Sequence, residues 1–495
     1  MGMLQNDALK TSIISYVGAV LGYINKGLLF VALLSIDEIG ILNLLLSTSI
    51  LFAQFSNLGT YNVIWRFFPS VKRKDNHHYG FLSFNILIAL VGAVFFTLLL
   101  LLFYGQIEEY YSEESARFMN YFFWTVPTGI AILLNKLLDG YSRAIYKSVF
   151  SIFSNDLLLR LFTTIVLVGY YFELFGFDVL LIILCLSQWL PVMLVIFYLK
   201  KLGEWNVSHK NIALPRKLKR VIYYYSSYVY MNSIGANIVL SIDAIMVAGM
   251  LGLEETGVYT TVMFMSRVLV IPYSAILRVA SPLIPKYWKN NAMDDLQSIY
   301  LRVSSVSLLI GLYLFGGVWI TRQDLFIILP EEFKTGIYVF LCIMIGRISD
   351  MYGGLNSAIL ITSKKYKSDL IFTGILVVLV IYLNYTLIPI YGVLGAAVST
   401  SVAFIVYNVL RVLFVWWHYK LHPFSIGNLY VFIVFGGVIF LFEIFSFGPL
   451  NVFVSILLKG AVFTGLFLGT IYVFKIEPNF VRFVDKWKFK LLKIK

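Results

Sequence analysis

The sequence predicts an all-α integral membrane protein with about 14 transmembrane helices, arranged as two parallel repeats and a C-terminal helix pair. Its 495 residues are 60% hydrophobic and only 13% charged, and the mean hydropathy is +0.84. Soluble proteins carry about 25% charged residues, so this composition indicates a membrane protein. Apolar runs of about 20 residues, long enough to cross a bilayer as a helix, recur along the whole chain.

These apolar runs define the expected spans. In chain order they cover residues 11–35, 38–62, 80–103, 117–139, 149–171, 178–199, 222–250, 256–284, 301–320, 335–361, 369–390, 393–416, 427–446 and 450–474. The loops between them are too short for a soluble catalytic domain, and the chain lacks a phosphate-binding G-x-x-x-x-G-K-[ST] motif. Any uphill transport would therefore depend on a gradient or on a partner.

The distribution of basic residues predicts the orientation. When successive loops are assigned to alternate sides, about 27 Lys and Arg fall on the side that holds both termini and about three on the other. The positive-inside rule therefore places both termini in the cytoplasm. The formal charge of +13 accordingly reflects membrane topology, and it does not indicate nucleic-acid binding.

An internal repeat relates the two halves of the chain. The segment LSIDEIGI at 34–41 recurs as LGLEETGV at 251–258, an offset of 217 residues from 34 to 251. Gly176 and Gly392 precede equivalent spans at nearly the same offset. Each copy holds an even number of spans, so both copies enter the membrane in the same direction and form parallel repeats.

The repeat predicts the domain organisation. We expect a first six-helix lobe at 1–200, a cytoplasmic linker at 201–221 and a second six-helix lobe at 222–417. An additional helix pair at 427–474 and a basic cytoplasmic tail at 475–495 follow. The tail alternates apolar and basic residues. It is expected either to lie on anionic lipid or to act only as the positive-inside signal of the last span.

Cations within the apolar spans are the main functional signal. Lys26, Arg160, Arg267 and Arg347 fall near the predicted middle of the membrane. Each such charge costs about 2.5–3.5 kcal/mol on insertion scales, so several in one chain imply charged partners or a polar pathway. Their sign favours an anionic substrate. Cations nearer the span ends, such as Arg411, are expected to reach the headgroups.

Two same-helix pairs have an alternative, structural explanation. Asp156 with Arg160, and Arg347 with Asp350, share a helix face and can form internal ion pairs, so each pair either binds substrate or stabilises the fold.

Lys26, Asp243 and Arg267 have no such same-helix partner and form the leading candidate site. Lys26 and Arg267 would bind an anion, and Asp243 would hold Arg267 or exchange a proton or sodium ion. The alternative is a fixed Asp243–Arg267 bridge. Asn237 is a polar candidate for sugar contacts. No cofactor and no metal site are expected.

Several motifs give the chain a family resemblance. These are the acidic-Gly turns DEIG at 37–40 and EETG at 254–257, WRFFP at 65–69 and PIYGVLGAA at 389–397. With them the chain resembles the multidrug/oligosaccharidyl-lipid/polysaccharide (MOP) exporter superfamily, and within it the polysaccharide or O-antigen repeat-unit flippases of Wzx type. The likeness covers essentially the whole chain. It implies a two-lobed bundle around a central cavity lined by helices one, two, seven and eight, and alternating access.

The resemblance also implies a function. The expected cargo is an undecaprenyl-diphosphate-linked oligosaccharide, carried across a bacterial inner membrane with membrane lipids and polysaccharide assembly proteins as partners. Two alternatives stay open. A drug or metabolite exporter could use the same fold, although the cationic spans and the extra helix pair count against it. A glycan polymerase or ligase would need a larger outward loop than the sequence provides.

Overall fold

A computed structural model describes the whole chain apart from a few short segments. These segments are Met1, 73–77, 112–114, 206, 208–213, 268–269, 329–332, 335, 446–450 and 493–495. Every regular element in the described residues is helical, which confirms the predicted all-α class. Contacts divide the chain into two compact units, Met1–Phe264 and Met265–Lys495.

The number of spans is close to the predicted one. Among the described residues, 11 helices are long and apolar enough to cross a membrane, and the number rises to 13 if two bent helix pairs each form one span. The predicted span at 117–139 corresponds to the helix Thr125–Ala144, which is not among these 13 and carries Lys136, Asp139 and Arg143.

Where the structure describes it, the first unit contains fourteen α-helices, the last of which crosses into the second unit. In chain order they are α1 (Gly2–Tyr23), α2 (Phe30–Leu33), α3 (Ile36–Ser56), α4 (Thr60–Val71), α5 (Phe81–Leu102), α6 (Tyr104–Tyr111), α7 (Ala116–Met119), α8 (Thr125–Ala144), α9 (Ser148–Ile152), α10 (Leu159–Tyr171), α11 (Phe177–Ser187), α12 (Trp189–Lys201), α13 (Arg216–Met250) and α14 (Leu253–Ser266). This unit therefore includes α13 and most of α14, which the repeat assigns to the second copy.

The second unit contains the remaining helices. They are α15 (Val270–Ala280), α16 (Ile284–Lys289), α17 (Met293–Ile320), α18 (Arg322–Ile328), α19 (Gly336–Gly353), α20 (Asn356–Thr362), α21 (Lys367–Tyr391), α22 (Val393–Tyr419), α23 (Ile426–Ile444), α24 (Val452–Val473) and α25 (Pro478–Leu492). The additional pair α23 and α24 packs on α17 through an apolar core that includes Leu312, Phe435 and Phe463.

Two spans of the first unit contain a π-helical segment. Ile24–Leu29 joins α1 to α2, and Phe153–Leu158 joins α9 to α10. A π-turn places one additional residue in the helix, which shifts the side chains that follow to another face, and such bulges are frequent at functional sites. Both segments carry a charged residue from the candidate list, Lys26 in the first and Asp156 in the second.

The two copies of the repeated turn contact each other. A Cβ atom added to Gly40 would lie 2.0 Å from the carbonyl oxygen of Leu253, and one added to Gly257 would lie 2.2 Å from that of Ile36. Leu253 is the repeat equivalent of Ile36, and Gly257 is the equivalent of Gly40, so the contact is reciprocal. A reciprocal contact is what a local two-fold axis between the copies produces. Only glycine permits this approach of the backbones.

Helix capping explains where α3 begins. Ser35 precedes the helix, and its side chain accepts a hydrogen bond from the Glu38 backbone, while the Glu38 carboxylate accepts one from the Ser35 backbone. This capping box satisfies two backbone donors that the first turn leaves free. Arg117 extends the arrangement, because its Nη1 lies 2.7 Å from Asp37 Oδ2. The acidic residues of the turn therefore stabilise a helix start.

Candidate functional site

Lys26 lies where the first span meets two other helices. It belongs to the π-helical segment Ile24–Leu29 and is half-buried. Its Nζ donates to Asn43 Oδ1 of α3 at 3.2 Å and lies 5.8 Å from the ring centroid of Phe264 of α14. These contacts keep the ammonium group at a polar side chain and an aromatic face.

Arg160 lies against the same span. It is the second residue of α10, directly after the π-helical segment Phe153–Leu158. A Cβ atom on Gly22 would lie 3.0 Å from Arg160 Nη1, so the guanidinium group covers Gly22, which precedes Lys26 by one turn. Among the described residues, Arg160 forms no ion pair with a carboxylate. Its five N–H donors are therefore available for an anion.

Hydrogen bonds hold the two π-bulged spans together. Asn25 Nδ2 donates to the carbonyl oxygen of Arg160 at 2.8 Å, and Thr164 Oγ1 donates to Asn25 Oδ1 at 2.8 Å. Ser15 Oγ donates to Asp156 Oδ2 at 2.8 Å. A substrate-binding role of Asp156 and Arg160 stays a prediction, and the two form no ion pair among the described residues. The π-turn explains this, because the extra residue removes the i,i+4 alignment that the pair needs.

Asp243 is buried between α13 and α14. Its side chain accepts a hydrogen bond from Tyr259 OH at 2.7 Å, and the residue is only 1% exposed. Arg267 follows the end of α14, belongs to the second unit and is exposed. A joint site of Lys26, Asp243 and Arg267 stays a prediction, as does the alternative bridge from Asp243 to Arg267.

Asn237 belongs to a row of polar contacts between α3 and α13. Its Nδ2 donates to Gln54 Oε1 at 3.2 Å, and Gln54 Nε2 donates to Ser233 Oγ at 2.8 Å. Further along, Tyr230 OH donates to the carbonyl oxygen of Phe55 at 2.5 Å. The Tyr230 hydroxyl thus satisfies a carbonyl that the last turn of α3 leaves free. The role of Asn237 in sugar binding stays a prediction.

Arg347 and Asp350 lie in a second charged group, within the second unit. Arg347 lies over the ring of Phe404, 5.1 Å from its centroid, and forms no ion pair with Asp350 among the described residues. Asp350 is near enough to Arg347 and Arg411 to interact with both charges. The substrate-binding role of the pair stays a prediction.

Arg411 differs from its sequence-based expectation. It does not reach the headgroups but is buried, 5% exposed, and forms an ion pair with Asp369. Its guanidinium carbon also lies 4.0 Å from the ring centroid of Tyr407. Its countercharge, Asp369, lies in the first turn of α21. The position of Arg411 on α22 does not predict this partner from another helix. The pair therefore joins α21 to α22 within the second unit.

Removing one partner of this pair should destabilise the protein strongly. We expect Asp369→Asn to lower the free energy of unfolding by about 3–5 kcal/mol, because it leaves the Arg411 charge buried without its countercharge. Thermal unfolding in detergent measures the effect, with the exposed Asp295→Asn as a matched control. The double variant Asp369→Leu/Arg411→Met should recover much of the loss. Equal melting temperatures of Asp369→Asn and the wild type would contradict a stabilising pair.

Two further ion pairs attach the additional helix pair. Lys459 Nζ on α24 lies 2.6 Å from Asp324 Oδ2 on α18, and Arg322 Nη1 lies 2.8 Å from Glu443 Oε1 on α23. The structure thus provides a partner for Lys459, which the sequence leaves unexplained. The two contacts connect α24 and α23, respectively, to α18.

A separate cavity of about 580 Å³ in the first unit is apolar. Its lining comes from α3, α5, α6, α8 and α13 and includes Phe52, Phe55, Phe96 and Tyr110. Neither Lys26 nor Arg160 lines it. The cations of the candidate site therefore belong to another part of the unit.

The fold of this chain is similar to that of solved membrane transporters, among them a transporter of the MOP superfamily. The structure is similar to that of the lipid II flippase MurJ in an inward closed conformation, with a TM-score of 0.73 and 15% identity over 94% of this chain and 99% of that chain. It is also similar to an inward-facing multidrug resistance MATE family transporter, with a TM-score of 0.67 and 13% identity over 84% of this chain and 98% of that chain.

One curated relative is similar in sequence. The probable low-salt glycan biosynthesis flippase Agl15 of Haloferax volcanii is 24% identical over 211 residues, which are 42% of this chain and 45% of that protein. The chain thus matches less than half of the length of this relative. No family model matches the chain.

Proposed function

We propose that the protein is a flippase that moves a lipid-diphosphate-linked oligosaccharide from the cytoplasmic to the periplasmic leaflet by alternating access. The observation that carries the proposal is the placement of Lys26 and Arg160 at the two π-bulged spans of the first unit. Cations held there offer an anion charge-assisted hydrogen bonds that are stronger than neutral ones. A diphosphate is the anionic part of such a substrate.

The two cations would act differently on a diphosphate. The Arg160 guanidinium is a planar fork that matches two phosphate oxygens, and the Lys26 ammonium is a compact point charge. Lys26 would exchange its hydrogen bond to Asn43 for one to a phosphate oxygen, so its charge is stabilised in the empty and in the loaded site. Arg267, which the sequence places with Lys26 in the leading candidate site, is proposed as a third contributor.

The additional helix pair supports a flippase over a drug exporter. The likeness to the lipid II flippase extends over 94% of the chain, whereas the likeness to the drug transporter extends over 84%. The sign of the charges also agrees with an anionic cargo. We further propose that the protein lies in a bacterial inner membrane with both termini in the cytoplasm. Its proposed partners are membrane lipids and polysaccharide assembly proteins, and it is proposed to catalyse no enzymatic step.

Reconstitution of the purified protein tests the proposal. We expect vesicles containing the protein to transfer a lipid-diphosphate oligosaccharide between leaflets at least tenfold faster than protein-free vesicles. Accessibility of the sugar to an external glycosidase measures the transfer. Co-purified lipid, identified by mass spectrometry, is expected to contain a diphosphate. Transfer of cationic drugs without transfer of the lipid-linked sugar would favour the exporter.

Gradient coupling through Asp243 is a further expectation. A buried carboxylate that gains and loses a proton or sodium ion would link transport to a gradient. We expect collapse of that gradient to slow the wild type, and Asp243→Asn to be slow with or without the gradient. Tyr259→Phe keeps the carboxylate and removes only its hydrogen bond, so it should retain the gradient dependence. Wild-type rates that are unchanged after collapse of both gradients would contradict coupling.

A further inference from the structure

The C-terminal helix α25 is fixed to the second unit. The buried carboxylate of Glu477, directly before the helix, accepts hydrogen bonds from the Phe480 backbone at 2.5 Å and from Asn479 Nδ2 at 2.8 Å. Phe480 packs against the apolar core that α17, α23 and α24 form. The basic residues of α25 therefore have a defined position on the protein.

Cations from two helices meet beside α25. A surface pocket of about 570 Å³ is lined by Arg302 of α17 and, from α25, by Asn479, Arg482, Phe483, Asp485 and Lys486. The pocket thus combines three cations with one carboxylate. Asp485 Oδ1 already accepts a hydrogen bond from Tyr472 OH at 2.8 Å. Three neighbouring cations repel one another unless an anion lies between them.

The position of the pocket indicates which anion it takes. Arg302 lies at the edge of the apolar run 301–320, and α25 begins at Pro478, shortly after the membrane helix α24 ends at Val473. Both features place the pocket at a membrane surface. Basic pockets beside membrane helices recognise anionic lipid headgroups. The Phe483 side chain, 60% exposed, offers an apolar contact for the attached chains.

We propose that Arg302, Arg482 and Lys486 form a binding site for the phosphate of an anionic phospholipid. Arg302 and Arg482 supply forked donors to the phosphate oxygens, and Lys486 adds a third charge. This site lies in the second unit and involves none of the residues proposed to bind the transported substrate, so it does not depend on the proposed function.

Native mass spectrometry of the full-length, delipidated protein tests this site. The probes are phosphatidylglycerol, zwitterionic phosphatidylcholine and inorganic phosphate. We expect phosphatidylglycerol to bind, and Arg302→Gln/Arg482→Gln to weaken its binding by about tenfold or more. The control Lys286→Gln/Lys289→Gln removes two exposed cations of the same unit outside the pocket and should leave binding unchanged. Arg302→Lys/Arg482→Lys keeps both charges and should recover part of the binding.

Three results would overturn the proposal. One is equal phosphatidylglycerol binding by the wild type and the Gln double variant at matched melting temperature. Another is displacement of the lipid by millimolar inorganic phosphate, which would indicate a free-phosphate site. The third is a lipid diphosphate that binds the wild type in preference to phosphatidylglycerol and is lost in the Gln double variant, which would assign the pocket to the transported substrate.

Discussion

Lys26→Ala is expected to reduce the transfer of a lipid-diphosphate oligosaccharide by about tenfold to a hundredfold. Hydrogen bonds to charged groups contribute about 1.5–3 kcal/mol, and the variant removes such a donor from the phosphate. Lys26 is half-buried, and its Nζ contacts Asn43 and Phe264, so a truncation leaves a small space beside a polar and an aromatic side chain. Folding should therefore be preserved. The transfer rate in vesicles, at equal amounts of reconstituted protein, measures the effect.

Further variants decide which cations act together. Lys26→Arg keeps the charge and should retain much of the rate, and the exposed Lys289→Ala should be neutral. Arg160→Gln and Arg267→Ala are compared directly. A large loss with Arg160→Gln supports the pair at the π-bulged spans, and a large loss with Arg267→Ala supports the site predicted from the sequence. Wild-type rates of well-folded Lys26→Ala and Arg160→Gln would reject the proposed cation pair.

Gly40→Ala and Gly257→Ala are expected to open the contact between the repeated turns. The added Cβ would lie about 2 Å from a backbone carbonyl oxygen of the other turn, which is far below contact distance. Overpacking costs about 1–3 kcal/mol, which changes the population of the closed contact by about fivefold to 150-fold. In the proposed alternating access, we infer that this contact forms in one state and separates in the other, so we expect transport to fall by a similar factor.

Cysteine labelling measures the opening. A Leu253→Cys reporter, placed in a background without Cys185 and Cys342, is buried in the closed contact and should react faster when either glycine is replaced. Gly374→Ala is the matched control, since a Cβ atom there meets nothing within 4 Å. Unchanged labelling and unchanged transport in Gly40→Ala would show that the contact tolerates a side chain.

The repeat shows how far one sequence can predict tertiary contacts. The offset of 217 residues makes Ile36 equivalent to Leu253 and Gly40 equivalent to Gly257, and the structure joins these four residues in a reciprocal contact. The motif thus marks the position of a local symmetry axis. The sequence pattern does not show which atoms approach each other or that only glycine fits there. Both follow from the distance between the two backbones.

The charged residues show where prediction stops. The sequence indicates that cations in apolar spans need partners. It does not indicate that Arg411 pairs with Asp369, 42 residues away, or Lys459 with Asp324, 135 residues away. It also predicts an ideal helix around Asp156, where a π-turn changes the face of the residues that follow. Helical periodicity describes one helix at a time, so neighbours from other helices and local changes of register escape it.

By itself, the sequence determined the all-α membrane class and the approximate spans, because transfer of apolar residues into a bilayer depends mainly on composition and length. Only the tertiary structure decided which charges are neutralised by partners and which are available to a ligand. Pairing is a matter of a few ångströms between residues far apart in the chain. For that reason Arg160, for which the sequence leaves an ion pair and substrate binding equally open, becomes a candidate for anion binding. Arg411, in turn, becomes a structural residue.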